Sequence, residues 1–113
     1  MIFETLNESN ERGELLLVLH GMCHYHLRRD GQLTIREIIV QKEHQGHGIG
    51  RAMLEQLEML ALDEGATSLF AKCPAELPAN GWYARLGFAL EGTEETRSGR
   101  RLNLWRLTPD NFR

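Results

Sequence analysis

Ile35-Arg36-Glu37-Ile38-Ile39-Val40, followed after four residues by Gln45-Gly46-His47-Gly48-Ile49-Gly50-Arg51, is the stretch on which the fold turns. The first segment is an apolar run of strand length. The second is rich in glycine and leads into a different period: from Ile49 to Glu64 the apolar residues Met53, Leu54, Leu57, Leu60 and Ala61 recur at three- and four-residue spacing. That spacing gives one apolar helix face, and Gly65 supplies a C-terminal stop. Strand, glycine loop and helix therefore follow one another without a break. Glycines let a backbone turn tightly and approach an anion with no Cβ in the way, while the first helical N–H groups and the positive end of the helix dipole face that anion. A diphosphate suits such a loop. Three glycines taken alone are as readily a turn with no ligand. The spacing is not G-x-G-x-x-G, and no Gly-Lys-Ser/Thr follows, so two common nucleotide-binding motifs are excluded.

Outward from this stretch the chain reads as a mixed sheet. Ile2 to Leu6, Glu14 to His20, Met22 to Arg29 and Leu33 to Val40 are predicted strands, although periodicity alone leaves Glu14 to Leu19 open to a buried helical turn. Asp30-Gly31 suits a two-residue type I′ hairpin. Ser68 to Cys73 reads as a strand ended by Pro74, Asn80 to Leu86 as a short helix closed by Gly87, and Phe88 to Thr96 with Arg101 to Leu107 as a last hairpin around Ser98-Gly99-Arg100. The expected class is α+β: a mixed, mostly antiparallel sheet with a long crossover helix after the fourth strand and a short helix before the last hairpin.

Composition sets bounds on function. With 113 residues and 13.0 kDa the chain is the size of one domain, 1–113, able to bury a core without metal or disulfide staples. A net charge of -3 and a pI near 5.9 argue against a nucleic-acid partner. No apolar run reaches a membrane span, and Met1-Ile2-Phe3-Glu4 lacks the layout of a signal peptide, so a cytoplasmic protein with no membrane partner is the expectation. Cys23 and Cys73 lie far apart with no CxxC spacing, and buried free thiols are expected. His24 and His26 alternate on one strand face and His20 lies nearby; two imidazoles at i and i+2 are weak evidence for a metal, and no metal site is assigned.

Two ordered motifs carry a family resemblance. Gln45, Gly48 and Gly50, as Gln-x-x-Gly-x-Gly, resemble the acetyl-CoA signature of the GCN5-related N-acetyltransferases (GNAT). Tyr83-Ala84-Arg85-Leu86-Gly87-Phe88 is similar to the Tyr-x-x-x-Gly-Phe segment of the same family. The resemblance covers roughly residues 14 to 107. It implies acetyl-CoA as cosubstrate, held by Gln45, Gly46, His47, Gly48, Ile49, Gly50 and Arg51 together with Ile38, Ile39, Val40, Asn80 and Tyr83. It also implies direct attack of a small-molecule or peptide amine on the thioester. Tyr83 is implied as the acid beside the departing sulfur, and Glu37, on the strand before the loop, is the candidate base, acting through water. Backbone N–H groups near Ile38 to Val40 would polarise the acetyl carbonyl if the strand splays there.

The family usually has a longer N-terminal region with two helices that wall the acceptor site. The thirteen residues before Glu14 cannot supply them, so an acceptor side left open or completed by a partner is expected. Asn80 is equally readable as a helix N-cap. Two rival readings stand beside catalysis: a non-catalytic acyl-CoA-binding or regulatory module, and a structural subunit that forms a homodimer through the sheet edge.

Overall fold

A computed structural model of the chain describes residues 15–108. Strands β1 (Leu15–Val18), β2 (Gly21–Leu27) and β3 (Gln32–Val40) lead into helix α1 (Ile49–Asp63). Strand β4 (Ser68–Pro74), helix α2 (Ala79–Arg85) and the hairpin of β5 (Ala89–Glu95) and β6 (Arg101–Leu107) complete the order. The strand expected at Ile2 to Leu6 lies outside the described residues. The six strands form one sheet in the order β1-β2-β3-β4-β6-β5, antiparallel everywhere except between β3 and β4. A parallel pair needs a crossover, and α1 supplies it.

Both expected hairpins form, with a turn chemistry different from the one Asp30-Gly31 suggests. A type I′ turn requires positive φ at both central residues, yet only Gly31 adopts it (φ 88°). Arg28 N–H donates to Gln32 O (2.8 Å) and Gly31 N–H to Arg28 O (3.3 Å), which makes a three-residue loop: a type I turn followed by a left-handed glycine. The β5–β6 hairpin repeats the construction, with Thr96 N–H on Arg100 O, Gly99 N–H on Thr96 O and Gly99 at φ 86°.

The helix ends follow one rule. After α1, Ala66 N–H reaches Ala61 O and Gly65 N–H reaches Leu62 O; after α2, Phe88 N–H reaches Tyr83 O and Gly87 N–H reaches Ala84 O. Each is a Schellman closure, and each needs its left-handed glycine, Gly65 (φ 74°) or Gly87 (φ 97°). The hydrophobic contact that accompanies such a closure is present at α2, where the Tyr83 and Phe88 rings lie 5.2 Å apart. The Tyr-x-x-x-Gly-Phe segment is thus a helix stop that also fixes the Tyr83 ring. At the other end of α2 the N-cap is Pro78, so Asn80 is not the cap the sequence suggests.

One irregularity positions everything that follows. In the β2–β3 ladder His24 faces Glu37 while Tyr25 faces Ile35, leaving Arg36 as an extra residue. This bulge shifts the pleat by one: Leu33 and Ile35 point into the core before it, and Ile38 and Val40 after it. Pairing between β3 and β4 also stops at Ile35 and Ala71, although β4 stays bonded to β6 as far as Pro74. Beyond Arg36 the two central strands therefore part, and the sheet opens on its midline. A single core fills the α1 side, with Met53, Leu57, Leu33, Leu69 and Leu107 fully buried within it.

Candidate functional site

A cleft of about 550 Å³ lies where β3, the glycine loop and the two helices meet. Its floor is Ile38 and Val40, turned inward by the bulge. One wall is the loop and first turn of α1, comprising His44, Gln45, Gly46, Gly48, Ile49, Gly50 and Arg51. The opposite wall is α2 with its approach: Pro78, Ala79, Trp82, Arg85 and Leu86.

Each glycine in the loop has its own reason. Gly46 (φ 82°) and Gly48 (φ 83°) adopt the left-handed region, and a Cβ built on either would meet no atom within 4 Å. They serve the backbone turn, and the space beside them is empty. Gly50 is helical, but its Cβ would lie 3.0 Å from Cζ2 of Trp82, so here glycine permits close packing of α1 on α2. A short 3₁₀ turn, Lys42–His44, links β3 to the loop, and Gln45 Nε2 donates to Val40 O at 3.1 Å. That hydrogen bond ties the loop back to the strand it follows.

The electrostatics favour an anion. Gly48 is the N-cap of α1, and the first N–H to find an intrahelical partner is that of Ala52, on Gly48 O (2.9 Å). The earlier N–H groups of the helix stand at the positive end of its dipole. Arg51 and Arg85 line the same cleft, and neither makes an ion pair with another described residue. Behind the loop, His20 and His44 stack with ring centroids 3.5 Å apart, and His20 Nδ1–H donates to Gln41 Oε1. His20 is the one non-glycine described residue with positive φ (68°), and it stands second in the two-residue turn between β1 and β2.

Several residues singled out from sequence stand elsewhere. Ile39 is 44% exposed and, like Glu37, points to the sheet face away from α1. His47 is exposed in the loop and does not line the cleft. Tyr83 lies in the core against Trp82, Phe88 and Trp105, beside the α2 wall of the cleft. Burial, with Cys73 and Cys23 nearby, pushes its phenol well above the usual range, so it stays protonated. Burial also pushes the Cys23 thiol up to about 12. Asn80 is spent within the protein: Nδ2 donates to Pro74 O and Leu77 O, while Oδ1 accepts from Trp105 Nε1 (2.8 Å) and Asn103 Nδ2 (3.0 Å). It fastens the approach to α2 onto β6. His44, Pro78, Ala79, Trp82, Arg85 and Leu86 join the cleft although motif spacing did not mark them. Among the described residues no three His, Cys, Asp or Glu side chains gather as a metal site, and no helix is long and apolar enough to cross a membrane.

The model of the Acetyltransferase (GNAT) family matches residues 7–88. The chain belongs to this family. No curated protein matches it. Among solved structures, it is similar to one described as a GNAT-family acetyltransferase from Desulfovibrio desulfuricans, at 25% identity and TM-score 0.72, over 79% of this chain and 61% of that one. It is similar to nourseothricin acetyltransferase at 27% identity and TM-score 0.71, over 79% of this chain and 57% of the other. The chain thus spans about three fifths of the length of these two relatives. A protein from Bacillus anthracis str. Ames, assigned as a streptothricin acetyltransferase and solved with acetyl coenzyme A, shares the fold at TM-score 0.79 and 17% identity, over 91% of this chain and 67% of that one. The mixed six-stranded sheet with its two helices is the GNAT fold, as the sequence led us to expect.

Proposed function

We propose that this GNAT chain is an acetyl-CoA-dependent N-acetyltransferase, with the diphosphate of the donor held at residues 45–51 and a primary amine as acceptor. The observation that carries the reading is the empty space beside Gly46 and Gly48 at the N-terminus of α1, in a cleft lined by Arg51 and Arg85, which form no ion pair with another described residue. The family membership and the acetyl coenzyme A bound in the Bacillus anthracis relative support it. Arg51 and Arg85 balance the diphosphate charge, and the helix N-terminus supplies N–H donors. Gln45 ties the loop to β3, and Trp82 packs α2 closely on α1 at Gly50.

The opening between β3 and β4 past Arg36 gives the donor's thioester end a route through the sheet towards Glu37. β3 N–H groups near Ile38 to Val40 have no β4 partner there, and they suit a developing oxyanion. At pH 7 a lysine-like amine costs about 4 to 5 kcal/mol to neutralise and an α-amino group about 1, so a base matters chiefly for the first. Glu37 is that base, acting through water. A phenol near 10 is a weaker acid than a thiol near 8.5, so full proton transfer from tyrosine to thiolate is uphill by about 2 kcal/mol before burial adds to it. Tyr83 therefore acts by donating a hydrogen bond to the developing thiolate.

A second reading, an acyl-CoA-binding module without turnover, is favoured by one observation: neither Tyr83 nor Glu37 lines the cleft. Turnover by the wild-type chain separates the two, and a pH–rate profile of Glu37→Gln then tests the base. On a strongly basic amine, kcat/KM at its plateau should fall by about 10²- to 10⁴-fold, the usual cost of losing a general base, with a small effect on amines already neutral near pH 8. Wild-type rates on the basic amine from about pH 6 to about pH 9 would remove Glu37 from the mechanism.

A further inference from the structure

β3 and β4 pair only as far as Ile35 and Ala71, while β4 stays bonded to β6 through Pro74. Lys72 is therefore the first β4 residue on the rim of the opening. Its neighbours Ala71 and Cys73 are buried in the core on the α1 side, so by strand alternation Lys72 stands on the opposite face, where it is exposed. This is the face towards which the thioester end of the donor is routed. A primary amine of the chain itself thus borders the place where acetyl groups are to be handed over.

Side-chain amines are scarce in this protein. Its 113 residues include two lysines, Lys42 and Lys72, against eleven arginines. An arginine guanidinium does not deprotonate in proteins and offers no amine nucleophile, whereas lysine does. Lys42 is exposed in the 3₁₀ turn that leads into the glycine loop, at the diphosphate end of the donor, so Lys72 is the lysine at the thioester end. Lys72 Nζ donates to both carboxylate oxygens of Glu94, at 3.1 and 3.3 Å. Glu94 lies across β6, because Lys72 faces Leu104 there and Glu94 faces Leu102, and the ion pair draws the amine away from the opening. Both side chains are about half exposed (47% and 46%), and an ion pair so open to water holds only weakly. The flexible four-carbon stem can then swing back across the rim.

We propose that Lys72 is a site of self-acetylation, modified by the acetyl-CoA bound to its own chain when no external amine occupies the acceptor side. The proposal rests on the acetyl-transfer reading above and adds to it an acceptor within the protein. In the step, the Lys72 ammonium leaves Glu94 and gives one proton to solvent. The freed nitrogen pair attacks the thioester carbonyl carbon, the C–N bond forms and the C–S bond breaks. A second proton leaves nitrogen as the amide forms and goes to the departing thiolate, so the products are Nε-acetyl-Lys72 and coenzyme A with a free thiol. The acetylated side chain carries no charge and no longer pairs with Glu94.

The test incubates the purified chain with acetyl-CoA carrying an isotopically labelled acetyl group and no added amine. Labelling at Lys42 and Lys72 is followed by peptide mass spectrometry, and acetyl-CoA affinity is measured separately by calorimetry. Label should enter Lys72 at least about tenfold faster than Lys42, a modest share of what proximity to a bound thioester can give. The rate per chain should not change when the chain is diluted, as a step within one molecule requires. Gly48→Glu, which loses the donor, should abolish the labelling. So should Lys72→Arg, which keeps a positive charge opposite Glu94 but has no amine nucleophile. Equal labelling of the two lysines, or labelling that survives in Gly48→Glu, would show chemical acetylation by dissolved thioester and overturn the site. A rate per chain that rises with concentration would overturn it as well, because one copy would then be acting on another. If wild type binds acetyl-CoA and acetylates added primary amines while Lys72 stays unlabelled, self-acetylation falls and the transfer reading stands. If wild type does not bind acetyl-CoA, both fall.

Discussion

Gly48 and Gly65 sit at opposite ends of α1, and they make a matched pair for testing the donor site. Both have positive φ, 83° and 74°, and a Cβ on either meets nothing within 4 Å. Alanine at each should therefore cost the same thing, the strain of an L-residue in the left-handed region, about 1 to 2 kcal/mol with no clash added. For a domain of this size that corresponds to a fall in Tm of about 4 to 8 °C. Only Gly48 borders the cleft. Its new methyl group would stand where the diphosphate has to approach the backbone, so Gly48→Ala should weaken acetyl-CoA binding by about tenfold or more beyond any effect of Gly65→Ala. Gly48→Glu, which adds negative charge, should abolish binding. Thermal unfolding followed by circular dichroism reads the first quantity, and isothermal titration with acetyl-CoA reads the second. Equal Tm losses together with equal acetyl-CoA affinities in the two alanine variants would refute the assignment of the loop, because the strain would be shown and the ligand role would not.

Tyr83→Phe should lower kcat more than it weakens acetyl-CoA binding, since the hydroxyl is proposed to act on thiolate charge that exists only late in the reaction; identical steady-state kinetics would leave Tyr83 with its packing role alone. Arg106 donates two hydrogen bonds to the Glu91 carboxylate and holds it below the usual carboxylate range. The folded-state pKa is thus lower than the unfolded one, so the stabilisation is present at neutral pH and is lost as pH falls through the folded value. Urea unfolding from pH 7 to pH 3 should show Glu91→Gln less stable than wild type at the neutral end and the gap closing at the acid end; a gap independent of pH would contradict this account.

The glycine loop was legible in the sequence because residues 45–51 are contiguous and their glycines mark a turn wherever the chain is placed. Both Schellman closures were readable for the same reason, as a glycine just past an apolar period. The bulge had a signal that went unread: Leu33 and Ile35 are odd, Ile38 and Val40 even, and the paired polar residues Arg36-Glu37 mark where alternation slips. Without it Ile39 passes for a cleft residue, and the face on which Glu37 lies is unassigned. The α2 wall was not legible, because Trp82 and Arg85 reach the cleft only through packing of α2 against Gly50, a contact distant in sequence. Asn80 shows the same limit. Its partners Asn103 and Trp105 lie 23 and 25 residues away, and no local pattern announces them.

The most direct measurement of the central claim is acetyl transfer itself: incubation of the purified chain with acetyl-CoA carrying an isotopically labelled acetyl group and a panel of primary amines, followed by mass spectrometry of the amines and quantification of free thiol. The account predicts label in a new amide and one coenzyme A thiol released for each amide formed, both lost in Gly48→Glu. Acetyl-CoA bound without any labelled amide across the panel would contradict catalysis and leave the binding module.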